Sequence, residues 1–350
     1  CTSSSFQRMN PSPSIKKRLI RSVGDSFAFR NSIRALEIAD RGNKYLRVLT
    51  YHRIDHMDRR HDLDPSLISA TPDQFARQLN WLMRHFNIVA LGDVVDAIRG
   101  EACLPSRAVL ITFDDAYADF YLHAYSCLRE RNLSAALFVP TAYPEHSDRQ
   151  FWWDRLYDMV MYHQDFPILE TSVGSFDVAS HASRYQTLRS LKKLLKQLPW
   201  QELNSIVDAI CLRPGTGPCP PTVMTWGQLQ EVSDNQIALV PHTHTHPLLD
   251  RIPVSEVREE IELSIRMLRQ ETGSSLPAIA YPSGQYSNQV VEEAKKAGCE
   301  IGFTTNRGIN RIKNCDPMQL CRINVGRETP DNVIRFQLNP GSQPLQWVFG

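Results

Sequence analysis

Two groups of side chains in this sequence have the types and spacing for chemistry. The first is Asp114-Asp115, which follows directly on the run Ala108-Val109-Leu110-Ile111-Thr112-Phe113. β-Branched and aromatic residues in such a run predict a strand. Both carboxylates then stand at the carboxyl end of a parallel strand, where barrel enzymes assemble their active sites. One member of such a pair can ligate a metal while the other takes a proton. The competing reading is an Asp that caps a helix, followed by an acid favoured by the helix dipole. The second group is Pro241-His242-Thr243-His244-Thr245-His246-Pro247, three histidines within five residues after another predicted strand. If this segment is extended, the imidazoles share one face; if it turns helical, His242 and His246 meet at i and i+4. Imidazole suits zinc and similar ions, and two histidines with one carboxylate leave coordination positions open for water and substrate.

Elements of one kind of fold must hold these groups. From about residue 46, short β-rich runs alternate with amphipathic helical stretches, the signature of repeated βα units around a parallel sheet or barrel. Strands are expected at Leu46 to Tyr51, Ile88 to Ala90, Ala108 to Phe113, Ala135 to Val139, Ile237 to Val240, Ala278 to Tyr281, Ile301 to Thr304 and Leu320 to Val325. Capping boxes at Thr71 to Gln74 and Thr225 to Gln228 open helices. Other helices are expected from Gly92 to Gly100, through Arg131, from Val254 to Glu271, up to Gly298 and after Pro330. The rhythm breaks between about residues 145 and 221, where Phe151-Trp152-Trp153-Asp154, a basic stretch at Leu188 to Leu198 and a Pro/Gly-rich exit predict a helical insertion. The expected architecture is an α/β fold: a distorted (β/α) barrel of seven or eight strands over residues 46–350, carrying that insertion, behind a leader over 1–45. The leader's Ser/Pro-containing start is expected to be mobile.

Charge and composition narrow the function. With 39 Lys and Arg against 38 Asp and Glu, a formal net charge of +1, no nucleic-acid partner is implied. No apolar run approaches the roughly 20 residues of a membrane span. The eight cysteines are scattered without a CxxC pair and read as buried or free thiols. Cys1 followed by Thr2-Ser3-Ser4-Ser5 matches the start of a mature lipoprotein, which implies an extracytoplasmic location. A truncated reading frame begins the same way and implies a cytoplasmic one.

Thr112-Phe113-Asp114-Asp115 and His242-Thr243-x-x-His246-Pro247 resemble the first two motifs of the polysaccharide deacetylases, carbohydrate esterase family four, and the likeness extends over about residues 46–325. It implies removal of acetyl groups from N-acetylated amino sugars in a glycan, with a divalent metal for which zinc is the expected ion. By the same resemblance Asp114 is the general base, and Asp115, His242 and His246 are the metal ligands. His244 falls at a variable position of the motif and receives no ligand role. The third motif here is Ala280-Tyr281-Pro282-Ser283-Gly284-Gln285-Tyr286, without the family's arginine. This form resembles the branch of biofilm-exopolysaccharide deacetylases. Pro282 and Gly284 would shape a turn whose backbone N–H groups meet an oxyanion, unless this is a plain barrel-rim turn. Arg322 can replace the missing guanidinium beside Asp114, a surface ion pair being the alternative.

The family's C-terminal histidine is also missing, since no histidine follows His246. Tyr51-His52-Arg53-Ile54 resembles the N-terminal motif by which permuted members of the branch bring the acid, so His52 is the candidate, against a structural histidine. First and last strands are neighbours in a closed barrel. Trp152, Trp153, Tyr117, Tyr143 and Tyr286 lie near strand ends, where rings can stack on sugars or fill the core. Tyr281 and Trp153 are expected, with Pro282 and Gly284, to contact substrate. Two other functions stay open: a carbohydrate-binding protein that kept the barrel but lost catalysis, and hydrolysis of a non-sugar amide or formyl group at the same site.

Overall fold

A computed structural model describes residues 45–57, 59–146, 149–163, 166–211, 221–273 and 276–342. The leader and most of the Pro/Gly-rich exit lie outside the described residues. The strands in chain order are β1 (Leu46–Tyr51), β2 (Arg53–Ile54), β3 (Ile68–Ala70), β4 (Asn87–Ile88), β5 (Ala108–Phe113), β6 (Ala135–Val139), β7 (Ile168–Thr171), β8 (Gly174–Asp177), β9 (Ile237–Pro241), β10 (Ala278–Ala280), β11 (Ile301–Arg307) and β12 (Leu320–Asn324). Seven of them form one parallel sheet in the order β10-β11-β12-β1-β5-β6-β9, and β4 pairs the start of β5. The ends of this sheet, β9 and β10, pack side by side, so the sheet curls into a distorted (β/α) barrel. β1, β5 and β6 are buried at every position. That burial follows from a parallel sheet covered on both faces, and it explains why these strands read as continuous apolar runs.

Helices complete the βα rhythm where the sequence places caps. Thr71 and Thr225 each accept from the backbone N–H of a Gln three residues on, whose side chain accepts from the Thr backbone N–H in turn. These boxes open the helices Pro72–His85 and Trp226–Ser233. The helix Leu91–Arg99 ends on Gly100, whose φ of 79° favours a residue without a Cβ. After β5, a π-helical turn over Phe120–Ala124 leads into the helix Tyr125–Arg129.

Between β6 and β9 lie the helices Trp152–Tyr162, His181–Leu195 and Trp200–Ile210. This stretch is not purely helical, as the sequence had implied. β7 and β8 form an antiparallel hairpin inside it, with Ile168 paired to Asp177 and Thr171 to Gly174. Both strands have four residues and are largely exposed, so they carry no apolar alternation to read.

Candidate active site

The two adjacent carboxylates take different partners because the chain turns sharply between them. Asp114 N–H donates to Tyr51 O at 2.9 Å, extending the β1–β5 pairing by one residue. Asp115 and Ala116 then adopt φ values of 71° and 49°. Left-handed backbone at residues with a Cβ costs about 1–3 kcal/mol each and persists only where the surroundings enforce it. Here Met224 N–H donates to Ala116 O at 3.0 Å and Ala118 N–H to Thr222 O at 2.9 Å, pinning the turn from outside.

Asp114 faces Arg322 on β12. The guanidinium donates from Nη1 to Asp114 Oδ1 at 2.7 Å and from Nη2 to Oδ2 at 2.9 Å, while its Nε donates to Thr304 O at 2.7 Å. Arg322 is 2 % exposed and Asp114 4 %, so this is a buried bidentate pair rather than a surface one. Burial alone would raise the Asp114 pKa, but Arg322, His242 and His52 outweigh it and hold the carboxyl below its ordinary value. His52 follows β1, which pairs with both β5 and β12, and its Nε2 stands 4.0 Å from Asp114 Oδ2 with the side chain partly open to solvent.

Asp115 faces the histidines. His246 Nε2 lies 3.3 Å and His242 Nε2 3.6 Å from Asp115 Oδ1, and all three residues are buried. Two donors each about 2.0–2.1 Å from a tetrahedral ion are about 3.3 Å apart, so the three fit a zinc-like centre. His242 Nδ1 lies 2.8 Å from Ala280 O, and by donating there it leaves Nε2 free as a ligand. Burial, with His246 beside it, pushes the His242 pKa down to about 4, which keeps the ring neutral.

The segment that carries the histidines is neither extended nor helical. His242 N–H donates to Val139 O at 2.9 Å, prolonging the β6–β9 pairing, and the chain then turns with φ of 64° at Thr243 and 62° at His246. Glu260, on the helix Val254–Thr272, holds this turn. Its Oε2 accepts from the backbone N–H groups of His244 and Thr245 at 2.8 Å each, and its Oε1 from Thr245 Oγ1 at 2.6 Å. His244 Nδ1 sits 3.0 Å from Thr141 Oγ1, away from Asp115, in keeping with its having no ligand role.

At the end of β10, Pro282–Gly284 form a 3-10 turn with Ser283 at φ 53° and Gly284 at φ 69°. A Cβ on Gly284 would come within 2.5 Å of the Thr305 amide nitrogen, so the close approach requires glycine. Gly284 N–H is already bonded to Tyr281 O at 2.7 Å and Gln285 N–H to Pro282 O at 3.0 Å. Two residues expected to touch substrate face inward. Tyr281 is fully buried and its hydroxyl donates to Met318 O at 3.0 Å. Trp153 is 9 % exposed and stacked on Phe151, with ring centroids 4.5 Å apart, so it offers no open face to a sugar.

The sequence did not single out Glu260 or the buried Asp154. Glu260 is one of several acids on an amphipathic helix, and only the fold shows which of them meets the histidine turn.

The model of the polysaccharide deacetylase family matches residues 101–302, more than half of the chain, including both carboxylates and all three histidines. This chain belongs to the polysaccharide deacetylase family. YxkH of Bacillus subtilis (strain 168) is 26% identical over 85 residues, which cover 24% of this chain and 30% of YxkH. Among solved structures, the fold is similar to the Streptococcus pyogenes deacetylase PplD in complex with acetate, with a TM-score of 0.57 and 20% identity over 85% of this chain and 99% of PplD. It is also similar to IcaB from Ammonifex degensii, with a TM-score of 0.55 and 19% identity over 84% of this chain and 96% of IcaB.

Proposed function

We propose that this protein is a metal-dependent deacetylase that hydrolyses the N-acetyl amide of amino sugars in a glycan. The observation that carries the reading is the division of labour between adjacent carboxylates. Asp114 is matched to a guanidinium, whereas Asp115 is matched to two imidazole nitrogens at ligand spacing. Asp115, His242 and His246 would hold the ion, for which the donor set favours zinc. When bound, it supplies Lewis-acid polarisation of the acetyl carbonyl and lowers the pKa of water.

The chain's own groups handle the protons. Asp114, kept ionised and aimed by Arg322, takes a proton from the attacking water as the water oxygen bonds to the acetyl carbon. His52, beside Asp114 and partly open to solvent, gives a proton to the sugar nitrogen as the C–N bond breaks, releasing acetate and a free amine. Arg322 and His52 thus stand in for the arginine and histidine missing from the family's third and last motifs.

Acetate release from N-acetylglucosamine oligomers and acetylated polysaccharides tests the reading. Release should stop with a chelator and in His242→Ala. Asp114→Asn should lose about 10²–10⁴-fold in turnover while still binding zinc. No release from any glycan would leave a carbohydrate-binding role for the same barrel.

A further inference from the structure

The two ligand imidazoles are oriented by different means. His242 has Ala280 O as a hydrogen-bond acceptor, but His246 Nδ1 is buried and has no partner among the described residues. A metal-binding histidine ordinarily uses its second nitrogen on an acceptor that fixes the ring and raises its basicity. His246 instead stands against aromatic rings: Trp153 at 5.0 Å between centroids and 67° between planes, and Phe151 at 5.7 Å and 70°. Both rings come from the segment between β6 and β9, not from a barrel strand.

These rings are themselves fixed. Trp153 and Phe151 stack nearly parallel, at 7°, and Tyr143 stacks on Phe151 at 4.3 Å. Trp153 Nε1 donates to Tyr117 Oη at 2.9 Å, and Tyr117 Oη donates to Asp154 Oδ2 at 2.7 Å. Asp154 Oδ1 accepts the backbone N–H of Asp64 at 2.7 Å, and Asp154 is fully buried. Burial pushes the Asp154 carboxyl up to about 7, and among the described residues no cation hydrogen-bonds to it, so these two donors are more than incidental packing. The chain of contacts runs from the loop before β3, through Asp154 and Tyr117, to the ring that bounds His246.

We propose that Trp153, locked by Tyr117 and Asp154, is the positioning residue for His246, so that the segment between β6 and β9 completes the metal site of the barrel. The inference rests on the ligand set named under the proposed function, and it concerns ion binding rather than turnover. An edge-to-face wall restricts rotation of the imidazole without drawing on Nδ1. Loss of such outer support ordinarily lowers metal affinity about 10–100-fold.

The test measures zinc affinity of the full chain by competition with a chromophoric chelator, and the cobalt absorption spectrum, for wild type, Trp153→Leu, Trp153→Phe and Tyr117→Phe. Trp153→Leu should weaken zinc binding about 10–100-fold and alter the cobalt bands. Trp153→Phe, which keeps a ring but loses the N–H, and Tyr117→Phe, which keeps Trp153 but removes its acceptor, should each weaken it by less. Should Trp153→Leu fail to fold by circular dichroism, the two milder variants decide. Native-like variants with wild-type zinc affinity and cobalt spectrum overturn the positioning role while leaving the deacetylase reading intact. A wild-type chain that binds no zinc overturns both.

Discussion

The two sides of the site are built on opposite plans. On the Asp114 side, charge meets charge across the barrel: Arg322, 208 residues away, closes on both carboxylate oxygens, and neither group depends on unusual backbone. On the Asp115 side the partners are imidazole rings, and they are brought together by left-handed turns at Asp115, Ala116, Thr243 and His246. The difference teaches how neighbouring carboxylates acquire separate tasks. A carboxylate already neutralised by a buried guanidinium gains little from a cation and, under the proposed function, is the one that exchanges protons. One that faces two buried imidazole nitrogens at 3.3 and 3.6 Å stands in a donor set that, under the proposed function, takes a divalent ion.

Breaking the charged side should have the larger effect on stability. Arg322→Ala leaves a buried, unpaired Asp114 and should cost about 3–5 kcal/mol in denaturant unfolding. The loss should depend on pH. Folding holds the Asp114 pKa below its ordinary value, so ionised Asp114 contributes stability above the unfolded value of about 3.9, and that contribution fades as pH falls through the lower folded value. The gap between wild type and variant should therefore narrow in acid. A gap independent of pH would show that Arg322 acts through packing on Phe138, above which its guanidinium lies at 5.5 Å, rather than through Asp114.

Loosening the turn on the other side should come next. Glu260→Ala removes three contacts to the histidine segment, two of them from backbone N–H groups to a carboxylate, and should cost about 1.5–3 kcal/mol. Unlike Arg322→Ala, it should also lower zinc affinity, because the turn that aims His246 relaxes. Isothermal titration with zinc separates the two variants. Equal affinities would mean that the turn is held without Glu260, by Thr243 Oγ1, which accepts from His246 N–H at 3.1 Å, and by the backbone N–H groups of Thr141 and Ala142, which donate to Thr243 O and His244 O.

The same contrast governs what was legible in the sequence. β1, β5 and β6 lie where their apolar runs place them because both faces of the sheet are covered. The metal-ligand candidates were legible because three histidines beside a strand end are a chemical signal in themselves. The conformation of their turn was not, since neither extended nor helical backbone describes it and positive φ at Thr243 or His246 has no compositional mark. Arg322 was visible as a candidate but its burial was not. An arginine on a late strand reads as exposed until the fold sets Asp114 opposite it. Trp153 read as a sugar platform because aromatics near strand ends serve either use, and only Tyr117, 36 residues away, shows which atoms hold it.

The smallest effect belongs to the histidine that lies outside both plans. His244 sits between the two candidate ligands in sequence, yet its Nδ1 meets Thr141 Oγ1, and burial lowers its pKa against the opposing pull of Glu260. His244→Ala gives up one neutral, half-buried hydrogen bond, worth about 0.5–1.5 kcal/mol. Its backbone N–H still reaches Glu260, so the turn keeps its anchor. Zinc affinity should match wild type, whereas His242→Ala, two residues earlier in the same motif, should lose it. A fall in zinc affinity for His244→Ala comparable to that of Glu260→Ala would mean that the histidine turn depends on the Thr141 side chain, and that the backbone bonds from Thr141 N–H to Thr243 O and from Ala142 N–H to His244 O do not suffice to hold it.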